Sequence, residues 1–355
     1  MGVGTLSLFY PVFLPASAAA MAYAGHRALY VDWRTVITQF LTGPGRTSRI
    51  ALVLFVLLNW KSMPLAWTVR IFHAFVYHVL RRPKALTQRA LFHYSVTSSR
   101  TSLLETDYNF HKSNSTYFAD LDVSRSHLVT HLLGPSIPVL ADNAKNKLVR
   151  DKDGNLIKGS FGMGLGAVFC SFRKEIAPLQ GYEMWSRILA WDRKWLYIVT
   201  HFVVKGKVRP TAWDGKRMGP TRSRVVKADG DGDAAAAAAA AEDDWSKYVI
   251  ATAVSKYVFK LGRFTVHPAL ALQAAEMLPE RPGTGWVSGE TGTGTPEELD
   301  PDLDEVDEEG EWDWKRVELE RVRGMEYAEH FAALDGTNSL FDGGEDGAIG
   351  RFPLG

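Results

Sequence analysis

Cysteine is almost missing from this chain: Cys170 stands alone in 355 residues. A single thiol excludes a disulfide framework and any cysteine-cluster zinc site. No G-x-S-x-G elbow occurs, which argues against a serine hydrolase of the α/β type. Acidic residues are scarce in the first hundred positions, where eleven Lys/Arg face only Asp32. The opposite scarcity holds over Glu297–Glu311, with ten acidic residues and no basic one. These deficits cancel in a formal net charge of +1, which argues against a basic nucleic-acid binder, so no nucleic-acid partner is expected. Apolar residues are not scarce. At 46% hydrophobic and 23% charged, the chain can bury a core, and wholesale disorder is excluded. The length allows one large domain or two modest ones.

The basic third carries three apolar runs. Residues 1–26 contain no Lys, Arg, Asp or Glu, and the run from Thr5 to Gly25 is broken by Pro11 and Pro15. A secretory signal begins with a positive segment, and none precedes Arg27. The Ala-rich stretches nevertheless resemble cleavage sites, so secretion stays as the lesser alternative. Ile50–Trp60 is strongly apolar but short for a membrane span, and Leu65–Leu80 holds one charge, Arg70, before Arg81-Arg82-Pro83-Lys84. We expect residues 1–86 to form an apolar, basic, membrane-associated helical segment, with the cations at lipid headgroups. The protein would then be intracellular, on the endoplasmic reticulum or a similar membrane. The competing reading is a buried helical cap with Arg70, His73 and His78 on its outer face.

From Thr87 the texture changes. Arg89–Arg100 alternates and is rich in β-branched and aromatic residues, which predicts a strand. A polar stretch from Leu104 to Thr116 follows. Then Tyr117–Leu133 repeats apolar residues at helical spacing and stops at Gly134-Pro135. Further strands are predicted over Ala167–Ile176, Tyr182–Trp191, Leu196–Lys205 and Tyr248–Lys260. The short links between the first three favour antiparallel pairing. One long helix with a run of antiparallel strands is an α+β pattern.

The polar stretch carries a motif, D-x-N-x-H-x-x-N-S-x-Y, formed by Asp107, Asn109, His111, Asn114, Ser115 and Tyr117. Placed between a strand and a long helix, it resembles the acyl-thioesterase branch of the hot-dog fold. The wider string from Leu104 to Leu128 looks most like the fungal leucinostatin-cluster thioesterase-like family. It is also similar to animal thioesterase superfamily member six and, more distantly, to plant acyl-ACP thioesterases. The likeness covers roughly Thr87–Lys205 and resumes at Tyr248–Phe264. Many relatives read H-x-N-N, whereas Ser113 holds the first Asn position here. Serine still donates and accepts, but it is shorter.

The resemblance implies a curved antiparallel sheet wrapped around the Tyr117–Leu133 helix, a homodimer, and hydrolysis of acyl-CoA or a carrier-bound acyl or polyketide thioester. It also makes a secondary-metabolite pathway plausible, and it implies no cofactor. Asp107 is the candidate base or nucleophile, His111 can share that role or orient water, and Asn109 can position the carbonyl. The helix start near Asn114, Ser115 and Tyr117 offers backbone N–H groups and a positive dipole end to a developing oxyanion, while Asn114 and Tyr117 support the loop. Two alternatives remain at this point. The polar residues can be turn formers and helix caps alone, or the fold can bind acyl thioesters without cleaving them.

Elsewhere, Asp122 and Arg125 are expected as a surface or interface ion pair. His127 and His131 are expected to be structural, since no third metal ligand is evident. The domain plan is a single hot-dog domain over 87–278 with a flexible insertion at 207–244. An acidic disordered linker over 279–311 and a C-terminal helix with a loose tail over 312–355 complete it.

Overall fold

The computed structural model describes residues 19, 22–23, 25–82, 86–151, 153–210, 245–279 and 312–340. Most of the first apolar run, nearly all of the insertion, the linker and the end of the tail lie outside the described residues. The chain divides into two compact units, one formed by residues 1–66 with 102–104 and the other by the remainder.

The smaller unit holds helix α1 (Trp33–Thr42) and helix α2 (Arg46–Leu58), and neither buries a residue. Asp32 starts α1 by accepting the Arg34 and Thr35 N–H groups at 3.1 and 3.4 Å. Asn59 closes α2. Its buried amide donates to Phe55 O at 2.8 Å, and its Oδ1 accepts the Leu104 N–H at 2.8 Å.

The larger unit begins with helix α3 (Ala66–Arg81) and holds strands β1 (Ser95–Arg100), β2 (Phe161–Phe172), β3 (Gly181–Trp191), β4 (Trp195–Val204), β5 (Val249–Leu261) and β6 (Phe264–Val266). The antiparallel sheet runs β1-β3-β4-β5-β2, with β6 paired to β5. Register shifts at Leu165/Ala167, Ile188/Ala190 and Phe202/Val203 insert bulges, which bend strands and increase twist. Helix α4 (Thr116–Leu133) packs on one face of this sheet. At one end Tyr117 and Leu121 meet Tyr182, Met184, Phe202 and Ala253, and at the other Leu128, Leu132 and Leu133 meet Ile188, Ile198 and Leu196. This is the hot-dog arrangement, in an α+β unit. Helix α5 (Ser136–Ala141) and helix α6 (Pro268–Ala274) extend the core around Leu140 and Leu272.

Helix α7 (Trp314–Ala333) covers the opposite face through Met325, Ala328 and Phe331 against Leu189, Tyr197 and Val199. The approach is close. A Cβ on Gly324 would lie 2.0 Å from Leu189 O, so only glycine fits there. With both faces covered, β3 and β4 are buried almost without alternation.

Two strand predictions need correction. Arg89–Arg100 is a strand only from Ser95, because Gln88–Phe92 forms a 3-10 turn that buries Ala90, Leu91 and Phe92 together. Three consecutive inward residues cannot occur on an alternating strand. The strand predicted over Ala167–Ile176 runs instead from Phe161 to Phe172. Its glycine-rich start lacks side-chain alternation yet pairs with β5, while Arg173 and Lys174 both turn their N–H groups to Ile250 O.

Candidate active site

The polar stretch folds into a narrow hairpin, with Thr106 and Lys112 as its bridged pair. Asp107 builds the turn. Its N–H donates to His111 O at 2.9 Å and its carbonyl accepts the Phe110 N–H at 3.1 Å. Its Oδ1 accepts the N–H groups of Asn109 and His111 at 2.9 and 3.4 Å. Phe110 is held at a left-handed φ of 60°, an uncommon conformation for a bulky residue. The result thrusts Tyr108, 90% exposed, and Phe110, 76% exposed, away from the protein. The hairpin is tied down where Lys112 N–H meets Ile176 O and Ser113 N–H meets Glu105 O, both at 2.8 Å.

Asp107 and His111 are half-buried in this turn, and Asn109 is exposed beside them. His111 Nε2 meets Glu175 Oε2 at 3.0 Å. Glu175 was not singled out in the sequence, because it lies in the distant loop after β2 and belongs to no motif. Asn114 and Ser115 are exposed where α4 begins. Ser115 occupies the cap position without a side-chain cap, and its hydroxyl meets Ser113 Oγ at 3.0 Å instead. Asn114 contributes its carbonyl, which accepts the Tyr117 N–H at 3.4 Å. Tyr117 stands apart from these groups. Its ring packs in the core against Phe172 and Phe202, and burial pushes its phenol well above the usual range.

A buried charge network underlies the hairpin. Lys112 Nζ lies 2.9 Å from Asp120 Oδ2 and 3.4 Å from Glu105 Oε1, over the rings of Tyr117 and Tyr182. Asp120 also binds Arg70 at 2.8 Å and accepts the Tyr182 hydroxyl. Two cations thus meet two carboxylates in a site closed to water, where any one removed leaves a costly charge. Nothing in the spacing of Arg70, Glu105, Lys112 and Asp120 signalled this meeting.

Arg125 is a second correction. It is 1% exposed, not on the surface, and it bonds Asp122 and Ser255 at 2.5 Å each beneath the ring of Tyr257. Beside it, hydroxyls of Thr97, Ser124, Ser186 and Thr200 form a chain at 2.7 to 3.0 Å. The middle of α4 therefore meets the sheet through hydrogen bonds, which explains the polar residues in its apolar repeat.

Between α3 and α4, His78 Nε2 meets His127 Nδ1 at 3.1 Å, with His73 edge-on to His127 and His131 tilted against His78. Burial pushes His78 down to about 3 and His127 down to about 4, so both rings pack neutral. His78 is buried, so an outer-face position for it is also corrected. Among the described residues, no group of three His, Cys, Asp or Glu is arranged to hold a metal ion. Cys170 is half-buried and its thiol is pushed up to about 11 by burial, which makes it a poor nucleophile at neutral pH.

No family model matches the chain. Curated proteins do. Thioesterase poxG of Penicillium oxalicum is 36% identical over 322 residues, 86% of this chain and 90% of its own. Probable thioesterase atnL of Emericella nidulans is 34% identical over 329 residues, 89% of this chain and 93% of its own. Thioesterase lcsJ of Purpureocillium lilacinum is 29% identical over 316 residues, 77% of this chain and 86% of its own. Identity above 30% over most of both chains shows that the chain belongs to this family of fungal thioesterases, a thioester hydrolase on a hot-dog sheet.

Proposed function

We propose that the chain hydrolyses an acyl thioester borne on CoA or on a carrier, in a secondary-metabolite pathway, with Asp107 activating the water. The observation that carries this is the hairpin closed by Asp107, which gathers Asp107, His111 and Glu175 beside the start of α4. Asp107 uses Oδ1 for the turn. Its Oδ2 remains to take a proton from water as the water oxygen bonds to the thioester carbon. His111, held by Glu175, orients that water, and Asn109 orients the carbonyl. The N–H groups of Asn114 and Ser115 face the oxyanion at the positive end of α4, where losing one donor typically costs about 100-fold or more. The carbon–sulfur bond then breaks, leaving a carboxylic acid and a thiol. The test is Asp107→Asn, which keeps an Oδ1 to hold the turn. The expected result is unchanged folding and a fall in kcat of about 100-fold or more on octanoyl-CoA, in the range of lost general-base catalysis. Full activity would refute the role of Asp107.

Two further features belong to this reading. Strand β2 is an edge with Met163, Leu165 and Phe169 exposed, and an apolar edge of this length is a template for pairing, which supports a homodimer. Apolar side chains cover the outside of α2 and α3, which supports binding to a membrane. No single described helix is long and apolar enough to cross a membrane, while α1 and α2 together, bent by 105°, reach that length and composition. The expected domain plan, with its anchor, hot-dog domain, linker and tail, remains part of the proposal.

A further inference from the structure

Strands that end beside the Asp107 hairpin end in cations. Strand β1 finishes at Arg100, β2 is followed by Arg173 and Lys174, β4 by Lys205 and Lys207, and β5 is preceded by Lys247. The pairings place these positions on one edge: Arg100 faces Gly181, Tyr182 faces Val204, Val203 faces Val249, and Ala251 faces Phe172. All six cations are exposed. The hairpin is anchored at the same edge, through Lys112 N–H on Ile176 O, and Thr101 N–H meets Gln180 O there. Against these six exposed cations the edge carries, among the described residues, three carboxylates, of which Glu175 is exposed and Glu105 is buried. Glu175 holds His111, Glu105 faces Lys112, and Glu183 accepts the Gly206 N–H and the Trp185 indole at 3.3 and 3.4 Å. Six cations outnumber these carboxylates, so the approach to the hairpin is net positive.

The width of the row decides what it fits. From β1 to β2 the sheet order makes four strand steps, roughly 19 Å at about 4.8 Å each. The phosphates of one nucleotide cover a spot, whereas a row across the whole sheet matches an extended acidic protein face. We propose that this basic edge docks the acidic face of a carrier-protein domain, whose phosphopantetheine arm delivers the thioester to the Asp107 hairpin. The inference rests on the thioesterase reading of that hairpin and names which carrier it serves.

The experiment compares one octanoyl group on three handles: an acidic acyl carrier protein, CoA, and N-acetylcysteamine. The variant is Arg173→Glu with Lys205→Glu and Lys207→Glu, none of which touches the hairpin's own hydrogen bonds. The expected result is a KM at least tenfold higher on the carrier substrate and kcat/KM on N-acetylcysteamine within twofold of the parent. Salt should raise the parent's KM on the carrier substrate, because exposed charges are screened. A loss confined to octanoyl-CoA would assign the edge to nucleotide phosphates and overturn the proposal. So would an unchanged carrier KM with loss of binding to phosphatidylserine vesicles. If the parent cleaves none of the three, the thioesterase reading of the hairpin fails. Docking is then read alone, from the affinity of a carrier bearing a non-hydrolysable octanoyl amide. A tenfold weaker Kd in the variant upholds the docking surface, and an equal Kd overturns it.

Discussion

Helices α3 and α7 belong to the same unit and turn opposite faces to it. Helix α7 buries Val317, Val322, Met325, Ala328 and Phe331 and leaves Arg323, Glu326 and His330 outside. Helix α3 buries Ala74 and His78 and binds Arg70 to Asp120, while Trp67, Val69, Phe72, Phe75, Val76, Val79 and Leu80 face outward. The first is the pattern water imposes on a surface helix, and the second is its inverse. Apolar area left in water forgoes about 25 cal/mol per Å², so the outer face of α3 is favourable only against lipid or another apolar surface. The difference teaches that the environment of a helix is written in which side faces the protein, not in how apolar the helix is.

The sharpest way to break this contrast is to remove the charge that holds α3. Asp120→Asn leaves buried Lys112 with Glu105 alone and half-buried Arg70 without its carboxylate. A loss of about 3–5 kcal/mol is expected in urea unfolding. A change below about 1 kcal/mol would show that α3 is not held by this network.

On the opposite face, Gly324→Ala forces a methyl into Leu189 O. The gain in helix propensity, about 1 kcal/mol, opposes an overpacking cost of about 1–3 kcal/mol. A net lower Tm is expected, and a higher one would mean that α7 rides further from β3.

The histidines under α3 predict a pH dependence. His78 and His127 sit at about 3 and 4 in the fold, through burial first and then through neighbouring His73, His131, Arg70 and Arg82. Both lie below the ordinary 6.5 of the unfolded chain. Between these values the unfolded chain binds more protons, so stability rises with pH. It should be lost progressively as pH falls from about 6.5 towards 4, and these two groups add no slope above 6.5. Tm measured from pH 7.5 to 4.5 should fall, and His78→Gln with His127→Gln should flatten the curve. An identical slope in that variant would remove these rings as the cause.

The smallest effect on stability is expected from the outside of α3. Val69→Ser, Val79→Ser and Leu80→Ser change side chains that are mostly exposed and should each change stability within about 0.5 kcal/mol. Sedimentation with phospholipid vesicles should nevertheless be lost. Undiminished vesicle binding would separate α3 from the membrane.

Much of the fold was legible in sequence. The helix predicted over Tyr117–Leu133 forms over Thr116–Leu133, and the strands predicted over Tyr182–Trp191 and Leu196–Lys205 form within a residue of their bounds. Their apolar residues repeat with the period of the element they form. Strand β2 was legible only in part, because glycines at Gly162, Gly164 and Gly166 carry no pattern and a paired edge needs none. That Asp107, Asn109 and His111 come together in one turn was legible because they lie a few positions apart in one short loop. Glu175, Lys112 and Asp120 were not, since ion pairs between distant segments leave no periodicity. Arg125 was misread because its Asp122 partner suffices for a surface pair, while Ser255 and Tyr257, which bury it, come from β5.

The sequence by itself determined what is local: the segregation of cations and anions along the chain, the helix and strand periods, and the polar motif of the Asp107 hairpin. Each depends on residues a few positions apart, within reach of backbone geometry. Only the tertiary structure decided which way α3 faces, that His111 meets Glu175, and that six cations from separate strand ends share one edge. Those outcomes depend on strand order and register, which bring distant residues together after the local elements have formed.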